Sequence, residues 1–295
     1  MSTVVCLIAN PATLPLTPAV VDRARRALPE NDAEWLSREE AVELGPLEID
    51  PATAQRLVRD ALNSTPVDVC GLTFEGRRKS LLVADMDSTI IGVECIDELA
   101  DLCGIKAEIA ALTQRTMNGE LDFETSLAHR VALLEGLPLA ELERVAENRT
   151  PLNRGARTLV ATMRKFGAYT ALVSGGFTFF TSRVRARAGF DFDEGNVLEV
   201  ANGQLTGKVV PPILGQQAKL QAMQRLIAAR DLLAEDAVAI GDGANDIDML
   251  REAGMGVAFH AHQKVRAAVP LRLDVADLTG ALYLQGYRRD EFEEA

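Results

Sequence analysis

Asp85 and Asp87 stand two residues apart at the end of the apolar run Leu81-Leu82-Val83-Ala84, and Ser88 and Thr89 follow them. An apolar run that stops abruptly at two acids reads as a buried parallel strand delivering both carboxylates at its carboxyl end. Open α/β sheets place their ligands there. A carboxylate in that position can attack a phosphoester and divide a hard hydrolysis into two easier steps through an acyl phosphate. Asp85 is the candidate nucleophile. Asp87 is the candidate acid/base, giving a proton to a basic alkoxide as it leaves and later taking one from water. The plainer alternative is a pair of solvated loop acids.

Such chemistry demands positive charge. A carboxylate held about 4 Å from a phosphate dianion is repelled by about 8 kcal/mol at an effective dielectric of about 20. A second acidic turn, Gly241-Asp242-Gly243-Ala244-Asn245-Asp246, follows a strand expected over 237–240. Asp85 and Asp242, with the carbonyl of Asp87, are hard oxygen donors that suit an octahedral Mg²⁺. Asp246 would support that site from outside the ligand shell. Lys219 lies near the start of a helix expected over 216–230, where the helix dipole disfavours a cation. It is either a surface lysine or the second neutralising charge. Ser174-Gly175-Gly176 closes a strand expected over 169–173 and precedes a helix over 177–188. Its backbone N–H groups would suit an anionic oxygen, although glycines there also permit tight packing.

The elements that must position these residues alternate between strand and helix periodicity, the mark of an α/β protein. Helices are expected over 153–165 and 277–284, and a further strand over 256–259. Four helices over 96–102, 107–117, 123–134 and 139–147, with no strand between them, read as an inserted cap over about 95–150. Segments 197–200 and 204–209 flank Ala201-Asn202-Gly203, a hairpin expected to form a small flap, about 195–211, apart from the sheet. Residues 1–78 read as a separate small α+β domain before a main domain at 79–295. Strands at 4–9, 33–36 and 67–74 and helices at 19–28 and 51–62 fit a βαββαβ pattern with one strand ill-defined, and 75–79 is the expected linker. This block loosely resembles ACT-type regulatory domains. An amino-acid sensor and a packing or dimerisation module are both open to it.

The 295 residues are 47% hydrophobic and carry a formal charge of −12, which argues against a nucleic-acid or anionic-membrane partner. The short apolar run near the start has no basic residue before it and is too short for a signal peptide or a span, so a cytoplasmic location is expected. The four cysteines have neither metal-ligand nor secreted-scaffold spacing. Cys95 reads as core, and His129, His260 and His262 as structural or exposed.

D-M-D-S-T, S-G-G, the isolated Lys219 and G-D-G-A-N-D occur in the order of the haloacid dehalogenase (HAD) superfamily of phosphatases. Residues 80–287 resemble its phosphoserine phosphatase branch. The resemblance implies a HAD-like doubly wound parallel sheet of Rossmann type, bearing the helical cap and the hairpin. It implies Mg²⁺-dependent hydrolysis of O-phospho-L-serine through an aspartyl phosphate, the last step of serine biosynthesis. It also implies that Glu94 meets the substrate ammonium and Arg130 its carboxylate, with Met117 and Phe123 as an apolar lid. Ser174, Gly175, Gly176, Lys219 and Asn245 join them as substrate-binding residues. A zwitterionic amino acid does need one anion and one bidentate cation. Thr116 departs from the small Ala common in the family. Other phosphorylated amino acids or sugars, transfer to an acceptor alcohol, and a receiver-type phosphorylation site at Asp85 are the competing readings. The built-in acid at Asp87 and the cap weigh against the last.

Overall fold

In chain order the elements are β1 (Thr3–Ile8), α1 (Pro18–Arg26), β2 (Asp32–Ser37), β3 (Ala41–Leu47), α2 (Pro51–Leu62), β4 (Asp68–Thr73) and β5 (Leu81–Ala84). Then follow α3 (Cys95–Cys103), α4 (Lys106–Met117), α5 (Phe123–Ala132), α6 (Leu139–Asn148), α7 (Ala156–Lys165), β6 (Tyr169–Phe177) and α8 (Thr178–Ala188). The chain ends with β7 (Phe192–Ala201), β8 (Gln204–Val210), α9 (Ala218–Ala229), β9 (Ala237–Gly241), α10 (Ile247–Glu252), β10 (Met255–Phe259), α11 (Gln263–Ala268), β11 (Leu271–Leu273) and α12 (Gly280–Leu284). The structure, a computed structural model, describes residues 2–117, 120–215 and 217–294; the side chains of Gln114, Thr116 and Met117 are outside that description. No helix among the described residues is long and apolar enough to cross a membrane.

The chain divides into two compact units. The first comprises residues 1–83, 154–170 and 227–295. Its opening block is an antiparallel sheet in the order β2-β3-β1-β4. On it α1 and α2 lay Val21, Ala24, Ala54, Val58 and Leu62 against Val5, Leu7, Val42 and Leu44. Both helices start at a side-chain cap followed by proline: Thr17 Oγ1 accepts the Val20 N–H, and Asp50 the Thr53 N–H. β3 is the strand that periodicity did not define. Glu43 interrupts its apolar run, and Arg77 meets that charge from 34 residues away. The stretch expected as a linker is therefore held down: Arg77 binds Glu43, Arg78 binds Glu291, and Lys79 Nζ donates to the Glu235 carbonyl.

The same unit carries the strand order β11-β10-β9-β5, with β10 parallel to both neighbours. The Tyr169 N–H at the start of β6 donates to the Ser80 carbonyl on the other side of β5. The chain thus leaves β5 once in each direction, a topological switch point. β11 and α11 are too short to show a period and were not expected. The closing helix is shorter than its expected 277–284, because Asp277 first turns the chain by accepting the Thr279 N–H and hydroxyl.

The second unit comprises residues 84–153 and 171–226. It holds the cap helices α3 to α6, together with β6, β7, β8, α8 and α9. The hairpin is not apart from the sheet as expected: β7 runs parallel to β6 through its first half and antiparallel to β8 through its second. Its tip is also joined to the cap. The Gly136 and Leu139 N–H groups donate to the Leu205 and Gly203 carbonyls, and the Leu205 N–H donates to the Leu137 carbonyl.

Candidate active site

Within the second unit Asp85 caps the turn Met86–Ile90 that follows β5 and accepts the Met86 N–H at 2.7 Å. Inside that turn Ser88 adopts φ +56°, a left-handed conformation that reverses the chain so that Asp85 and Asp87 both come off the strand end. Asp85 is 6% exposed and Lys219 3%. Their charged atoms meet at 2.7 Å, Lys219 Nζ on Asp85 Oδ1. The buried lysine of α9 is thus no surface residue.

Asp87 is gripped at both oxygens. Oδ1 accepts the Cys95 N–H, the first of α3, at 2.9 Å, and Oδ2 accepts the Ser174 hydroxyl at 3.2 Å. Burial raises its carboxyl above the ordinary aspartate value, and these hydrogen bonds and the Lys219 charge oppose that rise. A carboxyl displaced upward is suited to carry a proton that it must give away. Gly176 leaves room for it: a Cβ there would lie 2.9 Å from Asp87 Oδ2 and 3.1 Å from Ser174 Oγ. The Gly176 N–H, expected to face an anion, donates to Ser174 Oγ at 2.8 Å.

Cap residues enter from α3 and α5. Glu94 is exposed at the start of α3 and accepts the Ser88 hydroxyl at 2.7 Å. Arg130 lies in the last turn of α5, its Nε on the Ser126 carbonyl at 3.4 Å. Burial lowers the Arg130 guanidinium, while the charges of Glu94 and Asp97 support it. Phe123 opens α5, half-buried behind the Asp122 cap. Met117 lies outside the described side chains.

In the first unit Asp242 and Asp246 follow β9, 6% and 0% exposed. The Asp242 carbonyl accepts the His262 N–H, and Asp246 Oδ2 accepts the Gly243 N–H at 2.9 Å. A Cβ on Gly241 would fall 2.4 Å from Asp246 Cγ, so this turn closes on its own acid only because a glycine stands there. Asn245 is half-buried, with Oδ1 folded back over Gly243. Two residues here escaped sequence reasoning. Ser88, noticed only as part of a motif, positions Glu94; Asn196, before the hairpin, binds both Gly175 and Leu214.

Many known proteins match this chain. A family model described as haloacid dehalogenase-like hydrolase matches residues 82–251. A phosphoserine phosphatase of Haemophilus influenzae is 42% identical over 220 residues, covering 74% of this chain and 70% of that protein. Among solved structures, a HAD-family hydrolase from Salmonella enterica serovar Typhi superposes with a TM-score of 0.84 at 28% identity, over 96% of this chain and 98% of that one. A phosphoserine phosphatase solved as an analogue of its phospho-aspartyl intermediate gives a TM-score of 0.65 at 35% identity, over 70% of this chain and 98% of that one.

Proposed function

The chain belongs to the haloacid dehalogenase-like hydrolase family, and we propose that it hydrolyses O-phospho-L-serine to L-serine and phosphate through a phosphorylated Asp85. The observation that carries this reading is the buried Lys219–Asp85 contact at 2.7 Å beside an Asp87 that burial has pushed toward protonation. A nucleophile, a fixed cation and a proton donor together make a phosphoryl-transfer site. The relatives named for phosphoserine and for an aspartyl-phosphate analogue support the choice of substrate and intermediate.

As the family resemblance implies, Asp85 and Asp242 would hold a divalent ion, and Asp246 would support it from outside the ligand shell. Asp85 and Asp242 are each buried hard oxygen donors of the kind that fits Mg²⁺, and the Asp87 carbonyl would complete the protein's share. Once bound, the ion supplies charge that offsets the repulsion between carboxylate and phosphate. The remaining steps belong to the chain. Lys219 holds Asp85 in place and adds its charge to the transferring group. Asp85 attacks phosphorus. Asp87 gives its proton to the serine oxygen as the bond breaks, then takes one from the water that attacks the acyl phosphate. Glu94 receives the substrate ammonium and Arg130 its carboxylate, with Met117 and Phe123 closing the lid; Ser174, Gly175, Gly176 and Asn245 are the further substrate-binding residues that the resemblance implies. This chemistry would close serine biosynthesis in the cytoplasm. Residues 1–78, as a domain distinct from 79–295, would serve packing, dimerisation or amino-acid sensing.

A phosphate-release assay tests the reading. Wild type should release phosphate from phosphoserine with Mg²⁺ and stop with EDTA, and Asp85→Asn should fall at least about 10³-fold below it. An undiminished rate in that variant would refute the nucleophile. Equal rates on phosphoserine, phosphothreonine and phosphoglycolate would refute the roles of Glu94 and Arg130.

A further inference from the structure

We infer that Asn196 is a positioning residue for the reaction, a buried amide that holds the Ser174–Gly176 turn so that its hydroxyl reaches Asp87, and that ties this turn to the segment leading to Lys219. The inference rests on the phosphatase reading above for its chemistry. Its geometry is independent of that reading.

Asn196 sits in β7 where the strand changes partners. It is opposite Phe177 of β6, and only 1% of it is exposed. Its Nδ2 donates to the Gly175 carbonyl at 2.9 Å, and its Oδ1 accepts the Leu214 N–H at 2.8 Å. Those partners fix the amide's orientation without ambiguity, since a carbonyl only accepts and a backbone N–H only donates. The Gly175 carbonyl shares its peptide plane with the Gly176 N–H, so holding one aims the other. That N–H donates to Ser174 Oγ at 2.8 Å, and the Ser174 hydroxyl donates to Asp87 Oδ2 at 3.2 Å. One continuous line of donors therefore runs from the Asn196 amide through the Gly175–Gly176 peptide and the Ser174 hydroxyl to the acid/base. Each link polarises the next. Gly195 lets the strand come this close: a Cβ there would lie 3.2 Å from the Gly176 carbonyl and 3.1 Å from Thr181.

The other arm reaches Leu214, five residues before Lys219. With one side chain bonded to both segments, loss of Asn196 loosens the acid's support and the lysine's approach together. Buried side-chain amides are expensive to leave unsatisfied, so both arms are under strong constraint. Neither arm touches Glu94 or Arg130, so the effect belongs to the chemical step more than to recognition of the amino acid.

Two variants of the full chain separate the arms. In Asn196→Asp one oxygen still accepts the Leu214 N–H while the other repels the Gly175 carbonyl; Asn196→Ala removes both contacts. Kinetics are measured on phosphoserine and on p-nitrophenyl phosphate, with thermal midpoints and amide hydrogen exchange followed alongside. Both variants should lose about tenfold or more in kcat, since a misplacement of about 1 Å can remove about 100-fold, while KM changes less than about threefold. Both should lose exchange protection at Gly176, and only Asn196→Ala should lose it at Leu214. A merely structural role would lower the midpoint and leave kcat per folded molecule unchanged, which would overturn the inference. So would an unaltered Gly176 amide in folded Asn196→Ala. If wild type hydrolyses neither ester the phosphatase reading falls, and loss or retention of Gly176 protection still upholds or overturns the placement of Asn196.

Discussion

Lys219 occupies a position that electrostatics disfavours twice. It is the second residue of α9, where the helix dipole opposes a cation, and at 3% exposure its ammonium has lost nearly all its hydration. Asp85 compensates at 2.7 Å, but a buried pair is weak evidence of added stability, since apolar replacements are often neutral. Chemistry is the better reason to keep it, because a carboxylate that must approach a dianion needs a fixed positive charge alongside. Lys219→Ala should therefore lower kcat/KM on phosphoserine by about 10²–10³-fold. Lys219→Arg should recover little of it, because a planar fork does not reproduce a single-point contact in a closed space. Steady-state kinetics decide the matter, and a loss below threefold in the alanine variant would remove Lys219 from the mechanism. At this scale Asp85, Asp87 and Asp242 stand out in the sequence as candidates because residue type and spacing point to a chemistry, and the structure buries Asp85 and Asp242. Lys219 was legible only from its place in the order of motifs. Asn196 was not: its partners lie 21 and 18 residues away, and an asparagine near a turn already has an ordinary local explanation.

Elements were legible where their period was long. The four cap helices and the two helices of the opening block stand near their expected bounds, each with several turns of apolar spacing. What was missed is short or interrupted: β11 and α11 offer three and six residues, and β3 carries a buried Glu43 whose partner no local window contains. The end of β6 shows how an element can serve the site through what it lacks. Gly176 has no left-handed φ, so alanine fits the backbone, yet its Cβ would press on Asp87 Oδ2 and Ser174 Oγ. Asp87 cannot retreat freely, because Cys95 holds its other oxygen from the start of α3. Gly176→Ala should accordingly cut kcat by about tenfold or more, with a thermal midpoint within a few degrees of wild type. Activity and melting measured on one preparation check this. Full activity in the variant would mean that Asp87 has slack that the geometry does not suggest.

At the scale of the whole chain, the opening block is bound to the closing segments of its own compact unit. Tyr283 donates its hydroxyl to Glu40, β4 packs on β11, and the buried carboxylate of Asp68 accepts the N–H groups of Asp274, Val275 and Ala276 in succession. Desolvation nevertheless dominates at Asp68 and raises its carboxyl above the ordinary aspartate value, with the three N–H groups opposing. The sign of the pH effect follows from linkage. Between the unfolded and the raised folded pKa, the folded state holds a proton that the unfolded state has lost, so this residue's contribution to stability falls as pH rises through that window. Asn at this position does not titrate, and its amide cannot accept from all three donors. Wild type should therefore be more stable than Asp68→Asn throughout, by a margin that is widest on the acid side and narrows toward neutrality. Urea unfolding of both proteins from about pH 4.5 to about pH 7 reads that margin. A margin that widens with pH would mean that the three N–H groups outweigh burial, and that Asp68 is held as a carboxylate because the closing loop needs its charge.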